Sequence, residues 1–213
     1  MEASFWHGKW ARGDIGFHIA DANALLLKYI DALQLPAHSR IFLPLCGKTL
    51  DMQWLLQQGY RVVGIDLSEI AIRAVFAGLG VQPEVSQAGE LLHFSAPDID
   101  LFVGDFFALS AALLKPVDAI YDRAALVALP ASMRTAYSAH LMQISGHAQQ
   151  LLIAYEYDQS QADGPPFAIL PEEVQQHYAG RYTPVLLERQ QVAGGLKGKT
   201  AATEAVWHLA PAG

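Results

Sequence analysis

The sequence of 213 residues contains one cysteine, Cys46, so no disulfide can form within the chain. A lone thiol is typical of a reducing compartment, and we expect a cytoplasmic protein. The N-terminal residues lack the apolar core of a signal peptide. No apolar run reaches the roughly 20 residues of a transmembrane helix, so no membrane partner is expected.

Positive charge is also scarce. The chain has 14 lysines and arginines against 21 aspartates and glutamates, which gives a formal net charge of -7. Proteins that bind nucleic acid usually present a basic face to the phosphates, so nucleic acid is not an expected partner. The eight histidines show no paired metal-ligand spacing, and no metal is expected.

Apolar residues, by contrast, are plentiful. They make up 52% of the chain and charged residues 16%, a composition typical of a packed globular protein rather than a disordered one. The length suits one domain with a full core. We therefore expect a single domain over residues 1–213, acting as a monomer.

The segment 40–69 has the pattern of a nucleotide-binding βαβ unit. An apolar strand leads to a turn at Gly47, a helix follows, and a second apolar strand ends at Asp66. A carboxylate about 20 residues after the first turn is where such units bind a ribose. A second interpretation stays open, in which Asp66 only caps the helix that begins near Ser68.

The turn at 44–48 lacks the glycines that let a pyrophosphate approach the backbone. It reads Pro-Leu-Cys-Gly-Lys, without the G-x-G-x-x-G fingerprint, and the P-loop pattern is absent too. An adenosine cofactor with no phosphate at that point fits better, which favours S-adenosylmethionine over NAD. Within the turn, Lys48 is interpreted as a solvated lysine and Cys46 as a small buried residue rather than a nucleophile.

Apolar periodicity and turn residues predict the remaining elements. Helices are expected over 4–13, 18–33, 69–79 and 132–144 and from Pro171, with Thr49, Ser68 and Ser132 as caps. Strands are expected over 41–45, 62–66, 101–104, 117–121 and 150–157, with a terminal hairpin of 184–192 and 201–209. This alternation indicates an α/β fold: a mostly parallel sheet covered on both faces, an antiparallel terminal hairpin, and cap helices within 1–35.

In such a sheet, ligands bind at the carboxyl ends of the strands, where the strand order reverses. Two roles stay open for Arg123: binding a carboxylate or a ring acceptor, and a structural ion pair with Asp122 or another acid. For Trp6 and Trp10, on one face of the first helix, core packing is the default and a lid over the site is the alternative. Strand ends also carry Asp105 and Phe106.

Five motifs, in order, resemble those of the thiopurine S-methyltransferase family, bacterial members included. They are Phe-Trp at 5–6 with Trp10, PLCGK at 44–48, VGIDLSE at 63–69, YDRAALVA at 121–128 and GPPF at 164–167. The resemblance implies the Rossmann-like, three-layer fold of class I methyltransferases, with S-adenosylmethionine as methyl donor. It implies an enzyme that S-methylates aromatic and heterocyclic thiols such as thiopurines, by in-line transfer to a thiolate without an obligatory general base.

The resemblance also implies roles for individual residues. Asp66 would bind the ribose hydroxyls, with a side chain one methylene shorter than the glutamate of vertebrate members. The final hairpin, 194–199, has no arginine where some members place a second substrate-facing one. The implied cofactor contacts are Trp6, Trp10, Leu45, Asp66, Asp105, Phe106 and Arg123. The implied acceptor contacts are Phe17, His18, Arg123, Pro165 and Pro166. No catalytic residue is assigned, although Arg123 and His18 are candidates for orienting the acceptor.

Three alternatives stay open from the sequence. The first is methylation of tellurite, of selenium species or of other small thiols. The second is a protein of the same fold that binds the cofactor without catalysis. The third, an NAD-dependent oxidoreductase, is disfavoured by the missing glycine fingerprint.

Overall fold

The structure is a computed structural model that describes residues 3–14 and 21–212. The helices within these residues are α1 (Ala3–Arg12), α2 (Ala24–Tyr29), α3 (Asp51–Gln57), α4 (Glu69–Leu79), α5 (Ala111–Leu114), α6 (Ala131–Ser145) and α7 (Pro171–Tyr178). The strands are β1 (Arg40–Pro44), β2 (Arg61–Asp66), β3 (Glu84–Ala88), β4 (Leu91–Ala96), β5 (Ile99–Val103), β6 (Ala119–Arg123), β7 (Gln149–Glu156), β8 (Tyr182–Gln191) and β9 (Thr203–Pro211). Short 3-10 turns lie at Ile30–Leu33, Phe106–Ala108, Leu126–Ala128 and Gln159–Gln161.

Within the described residues the strands form one sheet of nine, in the order β3-β4-β5-β2-β1-β6-β7-β9-β8. The central strands from β5 to β7 are parallel, and an antiparallel hairpin extends the sheet at each end. The chain order reverses between β1 and β6, so a ligand crevice is expected between their carboxyl ends. The predicted α/β fold with an antiparallel terminal hairpin is confirmed.

Helices cover both faces of the sheet. Along β1, Phe42 belongs to the core shared with α6 and α7, whereas Ile41 and Leu43 belong to the core shared with α2, α3 and α4. Because successive strand residues point to opposite faces and both faces are buried, the strand reads as a continuous apolar run. This is the three-layer sandwich expected from the sequence. In the described part of the chain, no helix is long and apolar enough to cross a membrane.

Most helix ends follow the residues that signal them. The Ser68 hydroxyl accepts a hydrogen bond from the Ala71 N–H at 3.2 Å and so caps α4, which ends at Gly80 in the left-handed conformation. Pro171 occupies the first turn of α7, as predicted. Thr49 accepts a bond from the Asp51 N–H at 3.3 Å, although Leu50 is the residue that precedes α3.

Two predictions of helix starts are wrong. The helix expected over 18–33 begins at Ala24 in the described residues, because the Asn23 side chain accepts the Leu25 N–H at 2.9 Å and caps it there. Its last turn is a 3-10 helix. Helix α6 follows Pro130 without a side-chain cap, so Ser132 has no capping role.

The β3–β4 hairpin was not predicted. Strand β3 lies at the edge of the sheet and is exposed over most of its length. Its residues, Glu-Val-Ser-Gln-Ala, provide one large apolar side chain, so the apolar pattern that marks a buried strand is missing. Edge strands of this kind are typically short and polar.

Candidate active site

A cavity of about 770 Å³ lies at the carboxyl ends of the parallel strands, a volume usual for small-molecule sites. Helix α1, the Gly-Pro-Pro loop and the tip of the β8–β9 hairpin border it. Phe17 and His18 lie outside the described residues. All the other predicted site residues line this cavity: Trp6, Trp10, Leu45, Asp66, Asp105, Phe106, Arg123, Pro165 and Pro166.

Asp66 lies at the end of β2 and is buried, with 8% of its surface exposed. Its two carboxylate oxygens accept backbone hydrogen bonds at 2.8 Å, one from Gly47 and one from Ser68. Burial raises the pKa of Asp66 to about 6, although these two N–H donors act in the opposite direction. A carboxylate has about four lone-pair positions, so two stay available for hydroxyl donors in the cavity. The capping interpretation of Asp66 is wrong, because Ser68 is the residue that caps α4.

Gly47 lies against helix α1. Its φ is 54°, in the left-handed region, and a Cβ placed there would lie 3.2 Å from Cζ2 of Trp10. Trp10 is buried, and the Trp6 ring meets that of Phe5 edge-on, with 5.3 Å between centroids. Helix α1 therefore lies directly against the turn after β1, as the lid interpretation of the two tryptophans requires.

Cys46 lies in the same turn but is placed for packing. It is buried, and its Sγ lies 2.9 Å from the position that a Cβ on Gly64 would take. Burial and the charge of Asp66 raise the pKa of the Cys46 thiol well above its ordinary 9.0. A thiol with so little thiolate is a poor nucleophile, which supports its interpretation as a small buried residue.

The two residues after β5 differ in their surroundings. Asp105 is exposed, and its carboxylate accepts a hydrogen bond from the Phe107 N–H at 3.0 Å. Phe106 is buried, and its ring packs on Tyr137 with 4.9 Å between centroids. The cavity is therefore bordered here by a fixed aromatic ring and an exposed carboxylate.

Arg123 does not pair with its neighbour Asp122. The Asp122 carboxylate is wholly buried and accepts hydrogen bonds from the Leu126 N–H at 3.1 Å and the Tyr137 hydroxyl at 2.7 Å. Among the described residues no carboxylate lies within ion-pair distance of Arg123, which lines the cavity. Within residues 3–14 and 21–212 the ion-pair interpretation is thus wrong, and no carboxylate there competes with a ligand for the guanidinium.

The Gly-Pro-Pro loop is held at two points. The Pro166 carbonyl accepts a hydrogen bond from the Tyr157 hydroxyl at 2.7 Å, and the Phe167 N–H donates to the Val127 carbonyl at 2.6 Å. Because Val127 also lines the cavity, the loop and the turn after β6 form one wall.

Sequence reasoning missed two groups at the cavity. Lys197, in the terminal hairpin, lines it and so supplies a cation where the sequence offered no arginine. Asp51 also lines it; this buried carboxylate accepts the Asn23 N–H at 2.7 Å and the Tyr121 hydroxyl at 3.1 Å. The position of Lys197 in the cationic hairpin was a usable signal, whereas nothing in the sequence linked Asp51 to Tyr121.

These residues fit an adenosine cofactor. The Gly47 turn leaves little room for a side chain beside Trp10, and Asp66 retains acceptor positions next to it. The cavity combines these groups with aromatic rings at α1 and after β5.

Comparison with known sequences bears on the identity directly. The profile of the family described as thiopurine S-methyltransferase (TPMT) matches residues 1–210. This chain belongs to the thiopurine S-methyltransferase family. It is 49% identical to the thiopurine S-methyltransferase of Xanthobacter autotrophicus, over 98% of this chain and 99% of the relative. It is 50% identical to that of Teredinibacter turnerae, over 98% and 97% of the two chains.

Solved structures agree on the fold. The chain is similar to the Burkholderia thailandensis 1,6-didemethyltoxoflavin-N1-methyltransferase, solved with 1,6-didemethyltoxoflavin and S-adenosylhomocysteine, with a TM-score of 0.65. The match has 17% identity and covers 98% of this chain and 87% of the other. The fold is that of class I methyltransferases. As a member of the thiopurine S-methyltransferase family, the protein is a methyltransferase with S-adenosylmethionine as methyl donor.

Proposed function

We propose that this methyltransferase transfers the methyl group of S-adenosylmethionine to the thiolate of an aromatic or heterocyclic thiol. The observation that carries the proposal is Arg123, an arginine without an ion-pair partner among the described residues, on the wall of an aromatic-lined cavity. An unpaired guanidinium at such a place attracts an anionic ring substrate. Family membership supports the same chemistry.

The cofactor side of the cavity lies along β1, β2 and β5. Asp66 is proposed to accept hydrogen bonds from the ribose hydroxyls, and Leu45 and Trp10 to pack against the nucleoside from opposite sides of the turn. Phe106 and Asp105 are proposed to border the adenine. Their positions around one cavity support this assignment.

The acceptor side lies along the end of β6 and the Gly-Pro-Pro loop. Arg123, Pro165 and Pro166 are proposed to contact the thiol, and Arg123 also to reach the cofactor. Phe17 and His18 stay predictions for the same side. The cytoplasmic location and the monomeric state likewise stay predictions.

The bound cofactor supplies an activated methyl group on a positively charged sulfur. The chain's own residues hold the acceptor thiolate in line with that methyl and exclude water; Trp6 and Trp10 serve as the lid. Positioning of this kind lowers barriers by roughly 7–11 kcal/mol in well-oriented pairs. The thiol and the two phenols that line the cavity stay protonated and so cannot act as a base, because burial raises the pKa of Cys46 and Tyr121 well above their ordinary values and that of Tyr155 to about 12.

The test compares Arg123→Ala with Arg181→Ala, which removes an exposed arginine outside the cavity. With methyl-labelled cofactor and an aromatic thiol, Arg123→Ala should lower kcat/KM at least tenfold, and Arg181→Ala should leave it unchanged. Unfolding midpoints check that both variants fold. An unchanged kcat/KM in Arg123→Ala would remove the arginine from the site. Parallel reactions with tellurite, selenite and aliphatic thiols distinguish the alternative acceptors.

A further inference from the structure

Asp122 is a buried carboxylate to which the proposed reaction assigns no role. It lies at the end of β6, one residue before Arg123, and is wholly buried. Its Oδ1 accepts the Leu126 N–H and its Oδ2 accepts the Tyr137 hydroxyl. One carboxylate therefore ties together the strand end, the turn that follows it and helix α6.

The turn that Asp122 holds forms a wall of the acceptor side. It passes through Ala124, whose φ of 61° is unusual for a residue with a side chain, into the 3-10 turn Leu126–Ala128. Val127 lines the cavity, and its carbonyl also receives the N–H of Phe167 from the Gly-Pro-Pro loop. A shift of the turn would thus displace both the loop and the arginine that precedes it.

Tyr137 is itself fixed. It is wholly buried, lines the cavity, and packs on Phe106 on the cofactor side. Burial raises the pKa of Asp122 to about 6, and the ionisable groups that face it are Tyr137 from α6 and Tyr178 from α7, whose pKa values burial also raises. Protonation of the carboxyl would remove one of its acceptor positions.

We propose that Asp122 is a positioning residue, which fixes the turn that presents Arg123 and Val127 to the acceptor through its hydrogen bonds to Tyr137 and the Leu126 amide. The inference rests on the proposed acceptor site and adds to it a residue that touches neither substrate nor cofactor.

The first test is Tyr137→Phe, which keeps the ring on Phe106 and removes only the hydroxyl. The matched control is Tyr178→Phe, because the Tyr178 hydroxyl is buried outside the cavity and has no hydrogen-bond partner among the described residues. Loss of a bond to a charged group predicts an increase of about tenfold in the acceptor KM for Tyr137→Phe. The cofactor Kd should stay within about twofold, and Tyr178→Phe should change neither quantity. Equal effects of the two variants, or none, would overturn the proposal.

The second test is the pH profile of Asp122→Asn at saturating cofactor, with an aromatic thiol that stays ionised between pH 5 and 8. In the parent enzyme, kcat/KM for the acceptor should fall below an apparent pKa of about 6, as the carboxyl is protonated. In Asp122→Asn, kcat/KM should be lower at every pH, and its decrease below pH 6 should be absent. A decrease that persists in the variant would contradict the positioning role.

A double-mutant cycle separates this inference from the proposed function. If Asp122 acts through Arg123, adding Tyr137→Phe to Arg123→Ala should raise the acceptor KM by less than about twofold. If Arg123→Ala alone has no effect, the proposed acceptor site is wrong. If Arg123→Ala lowers kcat/KM and Tyr137→Phe does not, only the positioning role fails.

Discussion

The Asp66 carboxylate at the end of β2 accepts a hydrogen bond of 2.8 Å from the backbone N–H of Gly47, in the turn after β1. The bond joins two adjacent parallel strands at their carboxyl ends. The Trp10 ring lies against the same glycine. The turn, the carboxylate and helix α1 thus form one unit at the proposed ribose site, and a change at the glycine should affect all three.

Gly47→Ala should therefore reduce the free energy of cofactor binding by more than it reduces the free energy of unfolding. Gly89→Ala is the matched control, since φ at Gly89 is 64° and no atom lies within 4 Å of the added Cβ. Both variants should lose about 1 kcal/mol in the free energy of unfolding, the cost of a side chain in the left-handed region. Only Gly47→Ala should raise the cofactor Kd, by about tenfold, because its Cβ displaces the Trp10 ring. Denaturant titration measures the free energy of unfolding, and calorimetry measures the cofactor Kd. Equal cofactor Kd values for the two variants would contradict the proposed coupling of the turn, the carboxylate and α1.

The βαβ unit was predictable because its signals are local. Buried parallel strands read as apolar runs, and Gly47 and Asp66 stand at fixed places relative to them. The partners of Asp122 were not predictable, because Tyr137 reaches it from a helix whose place depends on the strand order of the whole sheet. The lysines of the β8–β9 hairpin are visible in the sequence, but the contact of Lys197 with the cavity depends on the same strand order. The polar β3 lacked any apolar pattern to detect.

Cofactor affinity should depend on pH through Asp66. Burial raises the pKa of this carboxyl to about 6, and the ribose hydroxyls need its anionic form as acceptor. Affinity should thus fall as pH decreases from 7 to 5, by up to about tenfold per unit below the pKa. Binding near pH 6 should release a proton, detectable by calorimetry in buffers of different ionisation enthalpy. Asp66→Asn should bind weakly at every pH and release no proton.

The raised pKa of Asp66 affects stability in the opposite direction: as pH rises, cofactor affinity should increase, whereas the stability that Asp66 contributes should decrease. Between the ordinary value of 3.8 and the folded value of about 6, the native state holds the proton more tightly than the unfolded chain. The contribution of Asp66 to the free energy of unfolding therefore falls as pH rises through this window and is constant above it. Urea titrations of the parent and Asp66→Asn at pH 4 and pH 7 should show a smaller decrease between the two pH values in the variant. An identical decrease would contradict the raised pKa.

Cys46 should resist alkylation in the folded protein. Burial and the nearby Asp66 charge keep the thiol protonated, so little thiolate exists at pH 8. Mass spectrometry after iodoacetamide treatment should find the folded protein unmodified and the urea-unfolded protein modified once. Rapid modification of the folded protein would show that the turn at 44–48 opens to solvent.

Lys197 should select acceptors by charge. It lines the cavity from the terminal hairpin, and among the described residues no carboxylate lies within ion-pair distance of it. Lys197→Ala should raise KM about twofold to fivefold for an aromatic thiol that carries a carboxylate, because a partly screened charge pair of this kind contributes up to about 1 kcal/mol. KM for the same thiol without the carboxylate should not change.

The matched control is Lys199→Ala, since Lys199 belongs to the same hairpin and is exposed but does not line the cavity. Both substitutions remove one positive charge, so a general effect of net charge on the approach of an anionic substrate would appear equally in the two variants. A specific contact affects only Lys197→Ala, and that effect should shrink in high salt as the pair is screened. If both variants discriminate equally between the two thiols, Lys197 acts on the acceptor only through the overall field.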